Sequence, residues 1–216
     1  METLGKLFGG TGRVKIMRLF LLNPEKGFDT GDVAARARIT GTQARRELSA
    51  LEKIGFIKRR MFMKSEIFKR KHGKKTVELS RTKRVSGWFF NQNFEYRNAL
   101  KDVLIDAEFI TNADLARRFK PAGKIKLLLV AGIFTRDPDS RLDLLLVGDN
   151  LRRNQLEKAI KILESEIGKE LEYAIFDSEE FFYRSNMYDK LVRDSLDYPH
   201  DVVIDLGMLE QVPKIQ

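Results

Sequence analysis

Two stretches, KIKLLLVAG (residues 124–132) and SRLDLLLVG (140–148), carry an unbroken run of apolar residues. Neither approaches the length of a membrane span. Neither alternates as a half-exposed strand does. They read as strands covered on both faces, which obliges the chain to supply layers above and below them. The downstream segments provide such layers. NLRRNQLEKAIKILESEIG (150–168) places Leu151, Leu156, Ile160, Leu163 and Ile167 on one side of a helix. KELEYAIFD (169–177) reads as a third strand. SEEFFYRSNMYDKLVRDSL (178–196) reads as helical, with Ser178 as N-cap ahead of Glu180. Strand, strand, helix, strand, helix is an α/β order.

The first half has a different pattern. GRVKIMRLFLLNP (12–24) spaces Val14, Ile16, Met17, Phe20 and Leu21 along a broad helical face, and Asn23-Pro24 stops it. FDTGDVAARARI (28–39) predicts a short helix with Thr30 as N-cap and Val33, Ala34 and Ala37 as its apolar side. ITG then turns the chain. A third helix comes next, capped by Thr42, with Ala44, Leu48, Leu51 and Ile54 facing inward and Gly55 as its stop. Two short helices, a Gly-containing turn and a longer helix make a helix-turn-helix pattern. The outward side of the third helix holds Thr42, Gln43, Arg45, Arg46, Ser49 and Lys53, side chains able to meet base edges or phosphates.

FIKRRMFMKSEIFKRKHGKKTVELSRTKRV (56–85) reads as two β segments joined at KRKHGKK, with Gly73 turning a tip crowded by Lys69, Arg70, Lys71, Lys74 and Lys75. Such a tip can lie along a phosphate backbone or enter a minor groove. The junction after it, GWFFNQNFEYRNALKDVLI (87–105), is rich in aromatics: Trp88, Phe89, Phe90, Phe94 and Tyr96. Base stacking is one use for such rings. Burial is the better expectation, because large rings stabilise a fold mainly by leaving water. TNADLARRFKPAG (111–123) reads as a helix capped by Thr111 or Asn112 and stopped at Pro121.

Charge separates the halves. Residues 1–98 carry 23 Lys and Arg against 9 Asp and Glu, a balance of +14; residues 99–216 carry 17 against 22, or −5, and the two sum to the +9 of the whole chain. A basic half beside an acidic one points to a polyanion as partner of the first. The chain has no cysteine and two distant histidines, His72 and His200, which excludes disulfides, thiolate zinc sites and cysteine nucleophiles. No stretch resembles a signal peptide or a membrane span, so a cytoplasmic protein without a membrane partner is expected.

Residues 12 to about 90, and GTQARRELSALEKIGFIKRR within them, resemble a winged helix-turn-helix domain of prokaryotic transcription regulators. The resemblance implies binding of double-stranded DNA. The order of elements after residue 124 resembles the polymerase-beta type of nucleotidyltransferase. In that family a Gly-Ser pair after the first strand grips phosphate, and carboxylates on the next strands hold Mg²⁺. Here Gly132 matches the Gly and Ile133 stands for the Ser. Ser140 matches the small residue before the acidic pair, Arg141 replaces the first Asp, Asp143 matches the second, and Glu172 is the best match for the third carboxylate, ahead of Asp177. The resemblance thus implies a degenerate nucleotide or metal site, with Arg141, Asp143 and Glu172 expected to pair with one another in place of a metal.

The chain is therefore read as mixed α+β: a winged helix-turn-helix domain at 1–98, a helical linker at 99–123 and a degenerate nucleotidyltransferase-like α/β domain at 124–216. The expected function is DNA-binding transcription regulation as a homodimer, with no catalytic residues, no metal and no cofactor. The second domain would serve dimerisation, a protein partner or a nucleotide effector. Two alternatives stay open: an active nucleotidyltransferase, and an antitoxin-like partner of a toxin that represses its own operon.

Overall fold

The computed structural model describes residues 2–72, 75–106 and 110–212, with side chains described at all of these except 66–72, 75–79 and 106. Among the described residues the chain is a mixed α+β protein with nine α-helices and two sheets. Its residues fall into two units, 1–107 with 165–169 and 108–164 with 170–216. The segment expected as a linker is divided between them, 99–107 in the first and 108–123 in the second. Among the described residues no helix is long and apolar enough to cross a membrane.

The first unit opens with α1 (Glu2–Phe8), which the sequence pattern did not announce, and α2 (Thr11–Leu22). Val14, Ile16, Met17, Leu19 and Phe20 of α2 are buried. Asn23 caps its end and donates from Nδ2 to the carbonyls of Leu19 and Gly168, 2.8 and 2.9 Å away. α3 (Thr30–Ala37) takes in the residue expected to be its cap. Asp29, rather than Thr30, accepts the N–H of Asp32, and the Asp32 carboxylate accepts the N–H of Asp29, a reciprocal cap that a lone hydroxyl cannot match. α4 (Gly41–Lys53) is also capped earlier than expected: the Thr40 hydroxyl, not Thr42, accepts from the N–H of Gln43. Ala44, Leu48 and Leu51 are buried as expected, but Ile54 is 62% exposed. It stands past the last helical residue, where the chain turns out through Gly55 at a φ of 76°.

β1 (Ile57–His72) and β2 (Lys75–Phe90) pair antiparallel over 16 residues each, in a register running from Ile57 opposite Phe90 to His72 opposite Lys75. At about 3.3 Å per residue this ribbon is roughly 50 Å long. α5 (Arg97–Lys101) comes after it and runs into a π-helical turn at Asp102–Asp106. Phe56 meets Phe90 and Phe94 edge to face with ring centroids 5.2 and 5.4 Å apart, and Trp88 and Phe90 are buried. Trp88 and Phe90 are core and Phe94 packs against it, in line with the expectation of burial over stacking, whereas Tyr96 is 59% exposed.

The same unit takes residues 165–169 from the far half of the sequence. Arg18 of α2 is wholly buried there. Its Nε donates to the Leu104 carbonyl at 2.7 Å and its Nη1 to the Glu166 carbonyl at 2.8 Å. Burial lowers its pKa to about 10 against the opposing pull of Glu166, so the guanidinium keeps its charge at neutral pH. Gly168 lies so close that a Cβ on it would stand 2.6 Å from the backbone of Arg18 and Leu19.

In the second unit α6 (Asn112–Phe119) is capped by Thr111, one of the two expected residues. The apolar runs become β3 (Leu127–Val130) and β4 (Leu144–Val147), buried at every position and paired antiparallel. α7 (Arg153–Ile167), whose residues 165–167 count with the first unit, and β5 (Tyr173–Phe176) come next, with Leu151 lying ahead of the helix rather than in it. The sheet order is β5-β4-β3-β6, with β4 and β5 parallel. β6 (Asp201–Asp205) was not expected, because DVVID is short, acid-flanked and at the sheet edge, where no residue of it is fully buried. The helix expected over 178–196 is two, α8 (Ser178–Asn186) and α9 (Lys190–Asp197). Tyr188 at a φ of 53° breaks them apart and Asp189 caps the second. Asp177, not Ser178, caps α8 by accepting from the N–H of Glu180.

Candidate nucleic-acid interface

α3 and α4 are joined through residues 38–40, of which Arg38 holds a left-handed conformation at a φ of 53°. α4 is fixed behind by one buried acid. Glu47, 2% exposed, accepts from Arg13 Nε of α2 at 2.7 Å and from Arg46 Nη2 at 3.0 Å. Burial would raise the carboxyl's pKa, but the hydrogen bonds and charges of Arg13 and Arg46 outweigh it and hold it below the usual range. The expected recognition residues therefore differ in freedom. Thr42, Arg45, Ser49 and Lys53 are exposed. Arg45 also reaches its own helix start, donating to the Gly41 carbonyl at 3.3 Å. Arg46 is exposed but leans on Glu47. Gln43 is half-buried, its amide covering Gly12 of α2, where a Cβ would stand 2.6 Å from Nε2.

The ribbon leans on both helices. Side chains of cross-strand partners share a face. Arg59, Met61, Met63 and Ser65 thus stand with Trp88, Ser86, Arg84 and Thr82. On this face Trp88 Nε1 donates to Glu52 of α4 at 3.1 Å, and the Arg59 guanidinium lies 4.8 Å from the Trp88 ring centre. The opposite face holds Lys58, Arg60, Phe62 and Lys64 with Phe89, Gly87, Val85 and Lys83. There Lys64 bonds to Asp29 and Asp32 at the start of α3, 2.6 and 2.7 Å away. Phe28 and Trp88 exchange backbone hydrogen bonds, so the segment before α3 extends the ribbon's base by one bridge. Gly87 is required at this crossing, since a Cβ would meet the Phe28 carbonyl at 2.5 Å.

Residues 57–65 and 80–90 contain Lys58, Arg59, Arg60, Lys64, Arg81, Lys83 and Arg84 and no Asp or Glu. In the sequence the tip stands out as a cluster and these do not. Their signal is the absence of acids through both stretches. Of the expected tip, Gly73 and Lys74, and the side chains of Lys69, Arg70, Lys71 and Lys75, lie outside the described residues.

The second unit corrects the other expectation. Arg141 does not pair with Asp143 or Glu172. It is exposed and its Nε contacts Asp194 of α9 at 2.7 Å. Asp143 is buried, and one carboxylate oxygen accepts the N–H of Ile133 at 2.9 Å while the other accepts the N–H of Glu172 at 3.0 Å. Glu172 is exposed and meets Asp143 through its backbone N–H. β4 starts at Leu144, so Arg141 and Asp143 precede the strand and are not held to one of its faces. Gly132, at a φ of 55°, sits against the Asp143 carboxylate, and the Ser140 hydroxyl donates to the Leu142 carbonyl at 2.7 Å. A carboxylate whose two oxygens bind backbone N–H groups is a loop staple. These residues do not fit a divalent cation. Among the described residues no group of three or more His, Asp or Glu is arranged to hold one.

Comparisons with protein-family models, with curated proteins and with solved structures find no match to this chain.

Proposed function

We propose that the chain is a DNA-binding transcription regulator, with α2–α4 and the β1–β2 ribbon acting as a winged helix-turn-helix. The observation that carries this is the pairing of two surfaces. One is the exposed side of α4, braced through Glu47; the other is the adjoining base of the ribbon, where residues 57–65 and 80–90 hold cations and no carboxylate. Arg13 and Glu52 tie α4 to its neighbours, so the helix would meet a groove as a rigid element. The test is anisotropy of labelled duplex DNA against the full chain over a range of salt. Log affinity should fall with log salt by about 0.9 per phosphate neutralised. Replacing Lys58, Arg60, Arg81 and Lys83 by Gln should flatten that slope without changing the preferred sequence. A slope near zero for the unaltered protein would sink the proposal.

The second unit belongs to the same reading as a nucleotidyltransferase-like domain without catalysis, serving homodimerisation or an effector. The stapling of Asp143 and the turn of Arg141 to Asp194 support it. Incubation with labelled nucleoside triphosphates and Mg²⁺ should leave no label on the protein. Labelling that disappears in Asp143→Ala would overturn this half of the reading.

A further inference from the structure

Met61 and Met63 stand 51% and 63% exposed on the ribbon face that leans on α4. Single exposed apolar side chains are ordinary. These two share one face at i and i+2, and among the described residues neither belongs to the buried apolar cluster of the first unit. Arg59 precedes them and Arg84 stands directly opposite Met63. An apolar pair framed by guanidinium groups fits a partner with an anionic rim and apolar groups set inside it. The major groove of a duplex offers phosphates at its edges and thymine methyls among the polar base edges of its floor.

We infer, on the strength of the regulator reading, that Met61 and Met63 are specificity-determining residues that contact thymine methyl groups in the major groove. Three points support this occupant. Residues 57–65 and 80–90 carry no acid to repel phosphate, and the pair is flanked by Arg84 and by Arg59, whose Nε lies 4.0 Å from Glu52 of α4. A two-stranded ribbon fits the roughly 12 Å width of the major groove, where the thymine C5-methyl is the apolar group on offer. The spacing also agrees. Two residues along a strand advance about 6.7 Å, close to two base steps of about 3.4 Å each. Methionine suits the contact, because its unbranched thioether moulds to an irregular surface. The face is continuous with α4 through the Trp88–Glu52 hydrogen bond, so helix and ribbon would read neighbouring bases.

The experiment selects duplexes from a random pool with the full chain, then replaces each thymine of the selected site by uracil, which removes the methyl alone. Two positions two base pairs apart should each lose about fourfold in affinity, the effect of burying one carbon group. Met61→Ser should abolish the sensitivity at one position and Met63→Ser at the other, with the circular dichroism and the salt slope unchanged. Unaltered uracil sensitivity in both variants overturns the inference. So does a change in sedimentation coefficient without a change in base preference, which would assign the face to a protein contact. If the unaltered chain recovers no duplex even at low salt, the regulator reading itself falls and this inference with it.

Discussion

Glu47 and Asp143 are both buried carboxylates, and each is used to hold backbone or helix in place. Their neighbours distinguish them. Glu47 is held by two arginines, so its charge is coupled to folding. Its folded pKa lies below the ordinary glutamate value of 4.5, hence its contribution is fully present above that pH and is lost as pH falls through and below it. Asp29 adds in the same direction: burial opposes its charge, but Lys64 and the capping N–H groups hold its pKa down. Thermal melts of the first unit should therefore hold their midpoint from neutral pH down to about pH 4.5 on this account and lose stability as the pH falls below it. Glu47→Gln should flatten that dependence while lowering stability by about 2 kcal/mol at neutral pH, because Arg13 loses its charged partner. An unchanged acid limb in the variant would remove Glu47 from this role. Asp143 binds N–H groups of the backbone instead. In Asp143→Asn one acceptor becomes an amide NH₂ facing a donor. A loss of about 1–3 kcal/mol is expected, read as a lower melting temperature. A variant as stable as the parent would show that the staple is dispensable.

Among the elements, the α3–α4 connection carries strain that its sequence need not have kept. Arg38 holds the left-handed conformation at the end of α3, a position that glycine occupies at lower cost. Arg38→Gly should raise stability by about 0.5–1 kcal/mol and at the same time weaken DNA binding, since a cation at the turn is lost. Gain in both would leave the strain without a use. The elements also show what could be read in advance. Helices such as α2, α4 and α7 announced themselves by apolar spacing, and the LLLV runs by continuity, because burial is written in residue type; α1 and the division between α8 and α9 did not. Caps were misplaced at Thr30, Thr42 and Ser178, where an acid or hydroxyl one or two positions earlier had the better reach to the N–H groups. The partner of Arg141 was not readable at all: Asp194 lies on a helix whose start depends on the break at Tyr188, and nothing local announces that break. Nor could the role of Asp143 be read, because an acid that staples backbone and an acid that binds metal have the same letter.

For the whole molecule the charge asymmetry and the unit boundaries do not coincide. The sequence places the basic half at 1–98, but the first unit includes residues 99–107 and 165–169. A fragment ending at residue 98 lacks both carbonyls that Arg18 binds, from Leu104 and Glu166, and lacks Gly168, which closes over α2. It should be poorly soluble and bind DNA weakly despite its charge. Gly168→Ala in the full chain should reproduce part of that loss, by more than about 2 kcal/mol, since it adds both a clash and an unfavourable backbone conformation at a φ of 93°. A well-folded, DNA-binding 1–98 fragment would refute the assignment. The buried Arg18 has a consequence for the history and handling of such a chain. A unit completed by residues from far downstream is not a cassette. It cannot be moved by gene fusion at a single cut, and during synthesis its arginine waits for the ribosome to deliver the carbonyl that covers it, 148 residues later.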